Sequence, residues 1–272
     1  MNESGENVKL SAGNSRLKEI RKLARRAVRS ERRVFLADGP KAVEGALGTV
    51  LDSGVSCVQE IFATEAGAEA YASVLADQPV TLVEDRAMAG LSDSVTPAGV
   101  VALCRFLDVP LTDIAGPLVV ICADVRDPGN AGTVIRCADA AGASGVILAG
   151  DSVDLYNPKT IRASVGSAFH LPIAIERDPL VAVKAAKAAG LTVLAADMHG
   201  TADLFSADAL LARPTAWLMG NEAWGLPPEL AAEADEIMSI PIFGRAESLN
   251  LSTAAALCLY ASAKAQRREV SS

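Results

Sequence analysis

The sequence predicts an α/β protein with a small N-terminal α/β domain and a larger domain built on a parallel sheet. Three observations support this fold class. The chain has 272 residues, which suits two domains of ordinary size. Aromatic residues make up only 4% of it, so the core must consist of smaller aliphatic side chains. Short apolar runs alternate with helical patterns, as expected when parallel strands are buried on both faces.

The first half of the chain is expected to form a basic helix followed by a small α/β module, together residues 1–110. Residues 1–15 are polar and are expected to be disordered. Apolar residues recur at helical spacing over 16–33, with Lys and Arg between them. Strands are predicted at 34–37, 57–63, 80–83 and 99–106, with helices at 41–51 and in the Ala-rich stretch after the second strand.

A segment with two prolines and a glycine, residues 107–117, separates this module from a second domain at 117–272. The second domain should contain a parallel sheet, because its strands are short and continuously apolar. The predicted strands are 118–123, 145–149, 171–175, 191–196, 216–219 and 236–241. The predicted helices are 131–142, 179–189, 228–234 and 251–267.

The cysteine and histidine content excludes several classes of protein. The five cysteines are widely spaced in apolar runs, which favours reduced thiols in a cytoplasmic protein over disulfides or a zinc site. Two histidines argue against a His-based metal centre and against a Ser-His-Asp hydrolase. Apolar stretches are too short for a membrane helix, and the N-terminus lacks the apolar core of a signal peptide. We therefore expect neither a metal nor a membrane partner.

The charge distribution points to nucleic acid although the net charge is −8. Residues 16–33 contain nine Lys or Arg and two Glu, a local charge of +7. A basic patch on an acidic protein is typical of phosphate binding, with a solvated helix face as the alternative. The basic residues chosen as candidate RNA contacts are Arg21, Lys22, Arg25, Arg26 and Arg29.

Three segments of the second half carry more polar residues than a core requires. In the first, Asn130 is a candidate N-cap, and Arg136 shares a helix face with Gly132. An Arg on this apolar helix needs a partner, which could be an anionic ligand or a salt bridge.

The second segment, Gly220-Asn221-Glu222, is a polar loop at the carboxyl edge of the sheet, where α/β proteins bind ligands. An ordinary strand-to-helix loop is the alternative there.

The third segment precedes the last helix. Ser248, Asn250 and Ser252 alternate where a helix cap would lie, and one cap needs only one of them. The others suggest a ligand held by side chains and free backbone N–H groups. The chain has no G-x-G-x-x-G and no Walker A sequence, so the usual dinucleotide and P-loop sites lack support.

The three segments resemble the motifs of the SpoU/TrmH family of RNA 2′-O-ribose methyltransferases. They match N-x-G-x-x-x-R, G-N-E-x-x-G and P-x-x-G-x-x-E-S-L-N-x-S-x-A-x-A in the family's order. Residues 154–167 are similar to an intermediate block of the family, and the first half is similar to its ribosomal-protein-like RNA-binding domain. Length and layout most resemble the thiostrepton-resistance subgroup, which methylates large-subunit ribosomal RNA.

The resemblance implies a trefoil-knotted methyltransferase domain, a homodimer with a site assembled from both subunits, and S-adenosylmethionine as cofactor. It also implies the residues that carry the site. The catalytic residues would be Arg136, Asn130, Glu222, Ser248 and Asn250. Those near the cofactor would be Leu218, Met219, Gly220, Asn221, Ile240, Pro241, Ile242, Ser248 and Leu249. Arg162 is a candidate for phosphate contact, with a surface salt bridge as the alternative.

The expected reaction is methylation of a ribose 2′-hydroxyl, most simply in ribosomal RNA. A guanidinium holds its proton too tightly to make Arg136 a good base, so we expect it to orient the hydroxyl and phosphate and to stabilise developing negative charge. The alternatives are a transfer RNA methyltransferase, a non-catalytic RNA-binding factor with this fold, and a small-molecule enzyme that uses a nucleotide.

Overall fold

The computed structural model describes residues 9–76 and 78–269 and divides the chain into two compact units. The first comprises Met1–Leu107 with Tyr156–Phe169, and the second comprises Asp108–Leu155 with His170–Ser272. The sequence analysis instead placed all of 117–272 in one domain. The difference has a physical cause, since aromatic rings tie the returning segment to the first unit. Tyr156 lies 3.6 Å from the Phe106 ring and 4.8 Å from the Phe35 ring, centroid to centroid.

The first unit contains a four-stranded sheet in the order β1-β4-β2-β3. Strand β4 runs antiparallel to β1 and β2, whereas β2 and β3 are parallel. The strands are β1 Val34–Asp38, β2 Val58–Ala63, β3 Val80–Leu82 and β4 Val100–Arg105. The helices are α1 Ser15–Arg21, α2 Arg26–Arg32, α3 Pro40–Leu47, α4 Glu65–Ala70, α5 Ala72–Leu75, α6 Asp85–Leu91 and, from the returning segment, α8 Pro158–Ser164.

The basic segment is not the single helix that its periodicity predicts. A short 3₁₀ helix follows α1, and Arg25 then adopts an extended backbone, with ψ of 127°, before α2 begins. The buried Arg29 side chain donates hydrogen bonds to the carbonyls of Leu23 and Ala24 at 2.7 and 2.9 Å. These carbonyls lie at the end of the 3₁₀ helix, so the guanidinium satisfies groups that a continuous helix would have paired internally.

The expectation that residues 1–15 are disordered is wrong for residues 9–15, which form defined contacts. The backbone N–H of Leu10 donates to the Leu82 carbonyl at 2.9 Å, and Leu10 forms an isolated parallel bridge with Val83, directly after β3. The Asn14 side chain accepts from the amides of Arg16 and Leu17 and caps α1. Residues 1–8 lie outside the described part of the chain.

The second unit contains a seven-stranded, fully parallel sheet in the order β7-β6-β5-β10-β8-β11-β9. The six predicted strands are all present, with ends shifted by up to two residues, and β9 was not predicted. The strands are β5 Leu118–Ala123, β6 Gly145–Ala149, β7 Ile173–Glu176, β8 Thr192–Ala196, β9 Ala202–Asp203, β10 Thr215–Met219 and β11 Glu236–Ser239.

Helices cover both faces of this sheet, which is why its inner strands β5 and β6 contain no charged residue and are buried along their whole length. Ala182, Val183 and Ala186 pack on one face. On the other face Trp217 is fully buried and donates from Nε1 to Ser262 Oγ at 2.9 Å. The helices are α7 Pro128–Ala141, α9 Pro179–Ala188, α10 Asp208–Leu211, α11 Pro228–Ala231 and α12 Leu251–Glu269.

The parallel register brings the carboxyl ends of four strands to one edge. Met219 at the end of β10 pairs with Cys122 of β5 and with Ala196 of β8, and Met238 of β11 pairs with the same Ala196. The loops that leave these strands therefore emerge together. The trefoil knot that the resemblance implies stays a prediction. In the described part of the chain, no helix has the length and apolar character needed to cross a bilayer.

Candidate active site

A cleft of about 650 Å³ opens at this edge of the parallel sheet, within the second unit. That volume lies in the range typical of sites for small molecules and cofactors. Its walls come from the loops after β8, β10 and β11, from the N-terminal end of α12, and from Asn130 of α7. The residues that line it include Asn130, Asp197, Met219, Gly220, Glu222, Trp224, Ile240, Ser248, Leu249 and Asn250.

The loop after β10 is held rigid by its own hydrogen bonds. The backbones of Asn221 and Gly225 exchange two N–H···O bonds of 2.9 Å each, and Gly225 has a φ of +69°. The buried Asn221 side chain donates to the Asp124 carbonyl at 2.6 Å and accepts from the Ala223 amide at 2.8 Å. A Cβ on Gly220 would lie 2.5 Å from the Gly225 carbonyl carbon, so this position requires glycine.

Three side chains join the three motif segments directly. Glu222 Oε1 accepts a hydrogen bond from Asn130 Nδ2 at 3.2 Å. Asn130 Oδ1 in turn accepts from Asn250 Nδ2 at 3.0 Å. The Glu222 carboxylate also accepts from the amides of Arg126 and Asp127, at 3.3 Å each. The chain Glu222–Asn130–Asn250, called the polar triad below, thus fixes the loop after β10, helix α7 and the start of α12 in one arrangement.

Asn130 can take part in the polar triad because it does not cap α7, contrary to the sequence analysis. Asp127 is the N-cap, and its Oδ1 accepts from the Asn130 amide at 2.8 Å. Pro128 then occupies the first helical position, where its missing N–H costs nothing. Because the cap is made by Asp127, the side-chain amide of Asn130 is free to form hydrogen bonds across the cleft.

Of the three candidate caps before α12, the structure uses Asn250. Its Oδ1 accepts from the Ser252 amide at 2.9 Å, from Ser252 Oγ at 2.6 Å and from the Thr253 amide at 3.4 Å. Ser252 is buried, whereas Ser248 is exposed and lines the cleft. Asn250 therefore serves two purposes, because its oxygen caps the helix and its nitrogen completes the polar triad.

Arg136 is not brought to the cleft of its own chain. It is exposed on α7, is absent from the cleft lining, and forms no hydrogen bond or ion pair with any described residue. Gly132, one turn before it, is buried. The salt bridge weighed for Arg136 in the sequence analysis is thus not formed within residues 9–76 and 78–269, and its cation remains available to an external group.

Most of the expected cofactor contacts line the cleft, but two do not. Leu218 is fully buried in β10, and Pro241 is not part of the lining. The residues that do line it are Met219, Gly220, Asn221, Ile240, Ile242, Ser248 and Leu249.

The sequence analysis missed one wall of the cleft. Asp197, Met198 and His199 follow β8 and line the opening, and Asp197 Oδ1 accepts from the His199 amide at 2.8 Å. Polar residues directly after a buried central strand were the available signal, since the carboxyl edge of the sheet was already the expected binding edge.

The basic residues proposed for RNA contact occupy different environments within the first unit. Arg29 is 3% exposed and bonded to backbone carbonyls, so it is withdrawn as a surface contact. Arg21 is half-buried and donates to the Ala12 carbonyl at 2.8 Å. Lys22 pairs with Glu19 at 2.6 Å on the surface. Because Arg21 is partly buried and Lys22 is paired with Glu19, both side chains are less available to bind an RNA phosphate.

Arg25 and Arg26 keep their cations available. Both are exposed, and neither forms an ion pair or side-chain hydrogen bond with the residues that the structure describes. The break between α1 and α2 places them at the start of α2. They are the strongest of the proposed phosphate contacts.

Arg162 forms salt bridges, which was the alternative to phosphate contact in the sequence analysis. Its guanidinium lies 3.4 Å from Asp93 Oδ2 and 3.9 Å from Asp38 Oδ2. Asp38 is buried and also accepts from Ser92 Oγ at 2.6 Å. Arg162 therefore neutralises a buried carboxylate of its own unit, although 39% of its side chain stays exposed.

Cys122 lies near the end of β5 and has a raised pKa. Burial, with a smaller effect from the Glu222 carboxylate, raises the pKa of the Cys122 thiol to about 12. Such a thiol is neutral at physiological pH and is a poor nucleophile. All five cysteines are free, and no cluster of three or more His, Cys, Asp or Glu side chains suited to a metal occurs among the described residues.

Two family profiles match the chain, one for each half. The SpoU rRNA Methylase family matches residues 117–260, and the MRM3-like substrate binding domain matches residues 14–102. The first match contains the cleft and the polar triad, and the second contains the basic segment.

Known proteins resemble the chain over nearly its whole length. The Bacillus subtilis (strain 168) 23S rRNA (guanosine(2553)-2′-O)-methyltransferase RlmP is 32% identical over 255 residues, which are 92% of this chain and 96% of the relative. A crystal structure of an AdoMet-bound rRNA methyltransferase from Sinorhizobium meliloti has a TM-score of 0.80 and 34% identity, covering 97% of this chain and 98% of that one. The SpoU methyltransferase AviRb from Streptomyces viridochromogenes, in complex with AdoMet, has a TM-score of 0.78 and 29% identity, with coverage of 95% and 100%.

Proposed function

The chain belongs to the SpoU rRNA methylase family, and on that basis we propose that it methylates a ribose 2′-hydroxyl of RNA with S-adenosylmethionine. One observation carries the proposal. The three motif segments converge on a single cleft, where the polar triad Glu222–Asn130–Asn250 connects them. No requirement of a buried core explains three polar side chains bonded in series at an open cleft.

The cleft fits S-adenosylmethionine, which supplies a methyl group on a sulfonium centre when bound. Apolar side chains of Met219, Ile240 and Leu249 line part of the cleft and suit an adenine ring. Gly220 lines the cleft beside them, and the turn is packed so closely that a Cβ there would meet the Gly225 backbone.

The residues around the cleft contribute mainly by positioning. The reaction is an in-line displacement, so its rate depends on holding the ribose hydroxyl in place. Asn130, Glu222 and Asn250 are fixed by one another, and exposed Ser248 lies beside them. These four side chains would shape the ribose subsite.

Arg136 would act in the cleft of a second subunit. It is exposed on α7 and pairs with none of the described residues of its own chain, which supports a homodimer in which each site combines residues of both copies. Its guanidinium is a permanent cation with a planar set of N–H donors, and it would orient the substrate phosphate and hydroxyl. It would also stabilise the negative charge that develops on the hydroxyl oxygen.

The substrate we propose is large-subunit ribosomal RNA, and the compartment is the cytoplasm. Support comes from the substrate-binding domain matched at 14–102, from relatives named for 23S rRNA, and from the exposed cations Arg25 and Arg26. Phosphate contacts of this kind make binding weaken with salt. The free cysteines fit a reducing compartment.

Incubation of the protein with labelled S-adenosylmethionine and, separately, with ribosomes, ribosomal RNA and transfer RNA tests the proposal. Labelling of one ribose in large-subunit RNA is the expected result. Labelling confined to transfer RNA would change the substrate class, and the absence of both cofactor binding and RNA labelling would favour a non-catalytic RNA-binding factor.

A further inference from the structure

We infer that Trp224, with the guanidinium of Arg126 against its ring, is a stacking platform for an unpaired base of the RNA substrate. The inference rests on the proposed function and adds a base-binding subsite beside the polar triad. Trp224 lines the cleft, yet 54% of the residue remains exposed. A large aromatic side chain left half in solvent at a cleft suggests a binding surface.

The two tryptophans of the chain have opposite environments. Trp217 is fully buried in β10 and satisfies its Nε1–H through Ser262. It is an ordinary core residue. Trp224 has no aromatic ring packed on it within the described residues, and its one ring contact is the Arg126 guanidinium, 5.0 Å from the ring centroid. Packing of the fold therefore does not explain the indole at this position.

The loop holds Trp224 in a defined place before any ligand arrives. The two hydrogen bonds between Asn221 and Gly225 close the turn that carries it, and the Asn221 side chain anchors that turn to the Asp124 carbonyl. A preorganised aromatic surface loses little conformational freedom on binding. A rigid exposed ring is what stacking on a base requires.

Arg126 adds charge to the platform. Its side chain is exposed and, apart from the Trp224 ring, contacts only the exposed Asp151 carboxylate among the described residues, at 3.6 Å. A guanidinium beside an aromatic ring can both stack on a base and attract the adjacent phosphate. RNA recognition commonly combines these two side-chain types on unpaired bases.

The platform is connected to the proposed ribose subsite at two points. Trp224 lies two residues after Glu222 in the closed turn, and the Arg126 backbone N–H donates to the Glu222 carboxylate at 3.3 Å. A base stacked on Trp224 would therefore belong to the methylated nucleotide or to its immediate neighbour. The apolar residues Met219, Ile240 and Leu249 already provide a separate surface for the cofactor's adenine.

Tryptophan fluorescence provides a direct test, because Trp217 is a buried and constant background. Wild type and Trp224→Phe would each be titrated with S-adenosylmethionine alone, and then with a ribosomal RNA fragment containing the methylated nucleotide. We expect RNA binding to lower the tryptophan emission of wild type and to shield Trp224 from quenching by added acrylamide. Neither change should occur in Trp224→Phe. Quenching of Trp224 by S-adenosylmethionine alone would identify an adenine contact and overturn the proposal.

Kinetics provide the second readout. We expect Trp224→Ala to raise the KM for RNA roughly 10-fold while the Kd for S-adenosylmethionine is unchanged, and Trp224→Phe to recover part of the loss. Phe205→Ala is the matched control, because Phe205 is equally exposed at 54% and does not line the cleft. An RNA lacking the stacked base should make wild type and Trp224→Ala indistinguishable.

The outcomes separate this subsite from the proposed function. Normal methylation by wild type with an unchanged KM in Trp224→Ala would overturn the platform alone. A persistent difference between the two proteins on the abasic RNA would also overturn it. Failure of wild type to methylate any RNA would overturn the proposed function and the platform together.

Discussion

Asn250 donates a hydrogen bond from its side-chain nitrogen to the side-chain oxygen of Asn130 at 3.0 Å, although the two residues are 120 positions apart in the chain. The same Asn250 uses its oxygen to cap α12. The bond thus couples the start of one helix to the first turn of another across the cleft. It makes the geometry of the site depend on the correct folding of both.

Asn250→Asp should separate these two roles. A carboxylate still accepts from the Ser252 amide, so the cap and the melting temperature should be nearly unchanged. It cannot donate to Asn130 Oδ1, so the polar triad is broken and kcat should fall on the order of 100-fold. Asn250→Ala should lose the cap as well, at a cost of about 1 kcal/mol in the free energy of unfolding. Equal activity of Asn250→Asp and wild type would show that the bond to Asn130 is dispensable.

Arg29 should contribute to the stability of the fold, whereas Arg26 should contribute to RNA binding. Arg29→Ala removes the buried donors to Leu23 and Ala24 and should lower the free energy of unfolding by about 1–3 kcal/mol. Arg26→Ala should leave the free energy of unfolding unchanged and weaken RNA binding. The slope of log K for RNA against log salt concentration should become shallower by about one unit, because one phosphate contact is lost. Chemical denaturation and RNA titrations at several salt concentrations measure the two effects. Loss of RNA affinity without loss of stability in Arg29→Ala would reverse this assignment.

Mixed dimers test whether Arg136 acts in the second subunit's cleft. Arg136→Ala lacks the cation, and Gly220→Ala disturbs the cleft because its Cβ would meet the Gly225 backbone. Each variant alone should be inactive. A mixture refolded together should regain activity, since one of the two sites then has an intact cleft and an intact arginine. A mixture as inactive as its components would place Arg136 in the cleft of its own chain.

Stability at alkaline pH should depend on Cys122. Burial raises the pKa of this thiol from an ordinary value of 9.0 to about 12. The folded state therefore binds the proton more tightly than the unfolded state, and the thiol's contribution is complete below pH 9 and is lost as the pH rises toward 12. Between these values the free energy of unfolding should fall less steeply in Cys122→Val than in wild type. Parallel pH profiles for the two proteins would exclude the raised pKa.

Much of the fold could be predicted from local patterns, and the exceptions have identifiable causes. Strands such as β5 and β10 are continuous apolar runs because both of their faces are buried, and this property is visible in the sequence. Two-residue β9 has no such pattern. The break at Arg25 depends on where the Arg29 side chain goes, which periodicity does not encode.

The site shows the same division between local and long-range information. The motifs identified Asn130, Glu222 and Asn250, and Asp127 before Pro128 was a local cap signal that the sequence analysis missed. The hydrogen bonds that join the three side chains depend on segments far apart in the chain. The position of Arg136 outside its own cleft likewise depends on the packing of α7. Such tertiary relationships are absent from any single stretch of sequence.

The most direct test of methyl transfer to ribose is the chemical position of the methyl group. Purified wild type and Arg136→Ala would be incubated with labelled S-adenosylmethionine and ribosomal RNA, which would then be hydrolysed with alkali. A 2′-O-methyl group blocks cleavage of the adjacent phosphodiester, so wild type should place the label in an alkali-resistant dinucleotide. Arg136→Ala should give no labelled RNA while binding S-adenosylmethionine normally. Label released in mononucleotides would mean that a base is methylated, and near-normal labelling by Arg136→Ala would contradict the role assigned to the arginine.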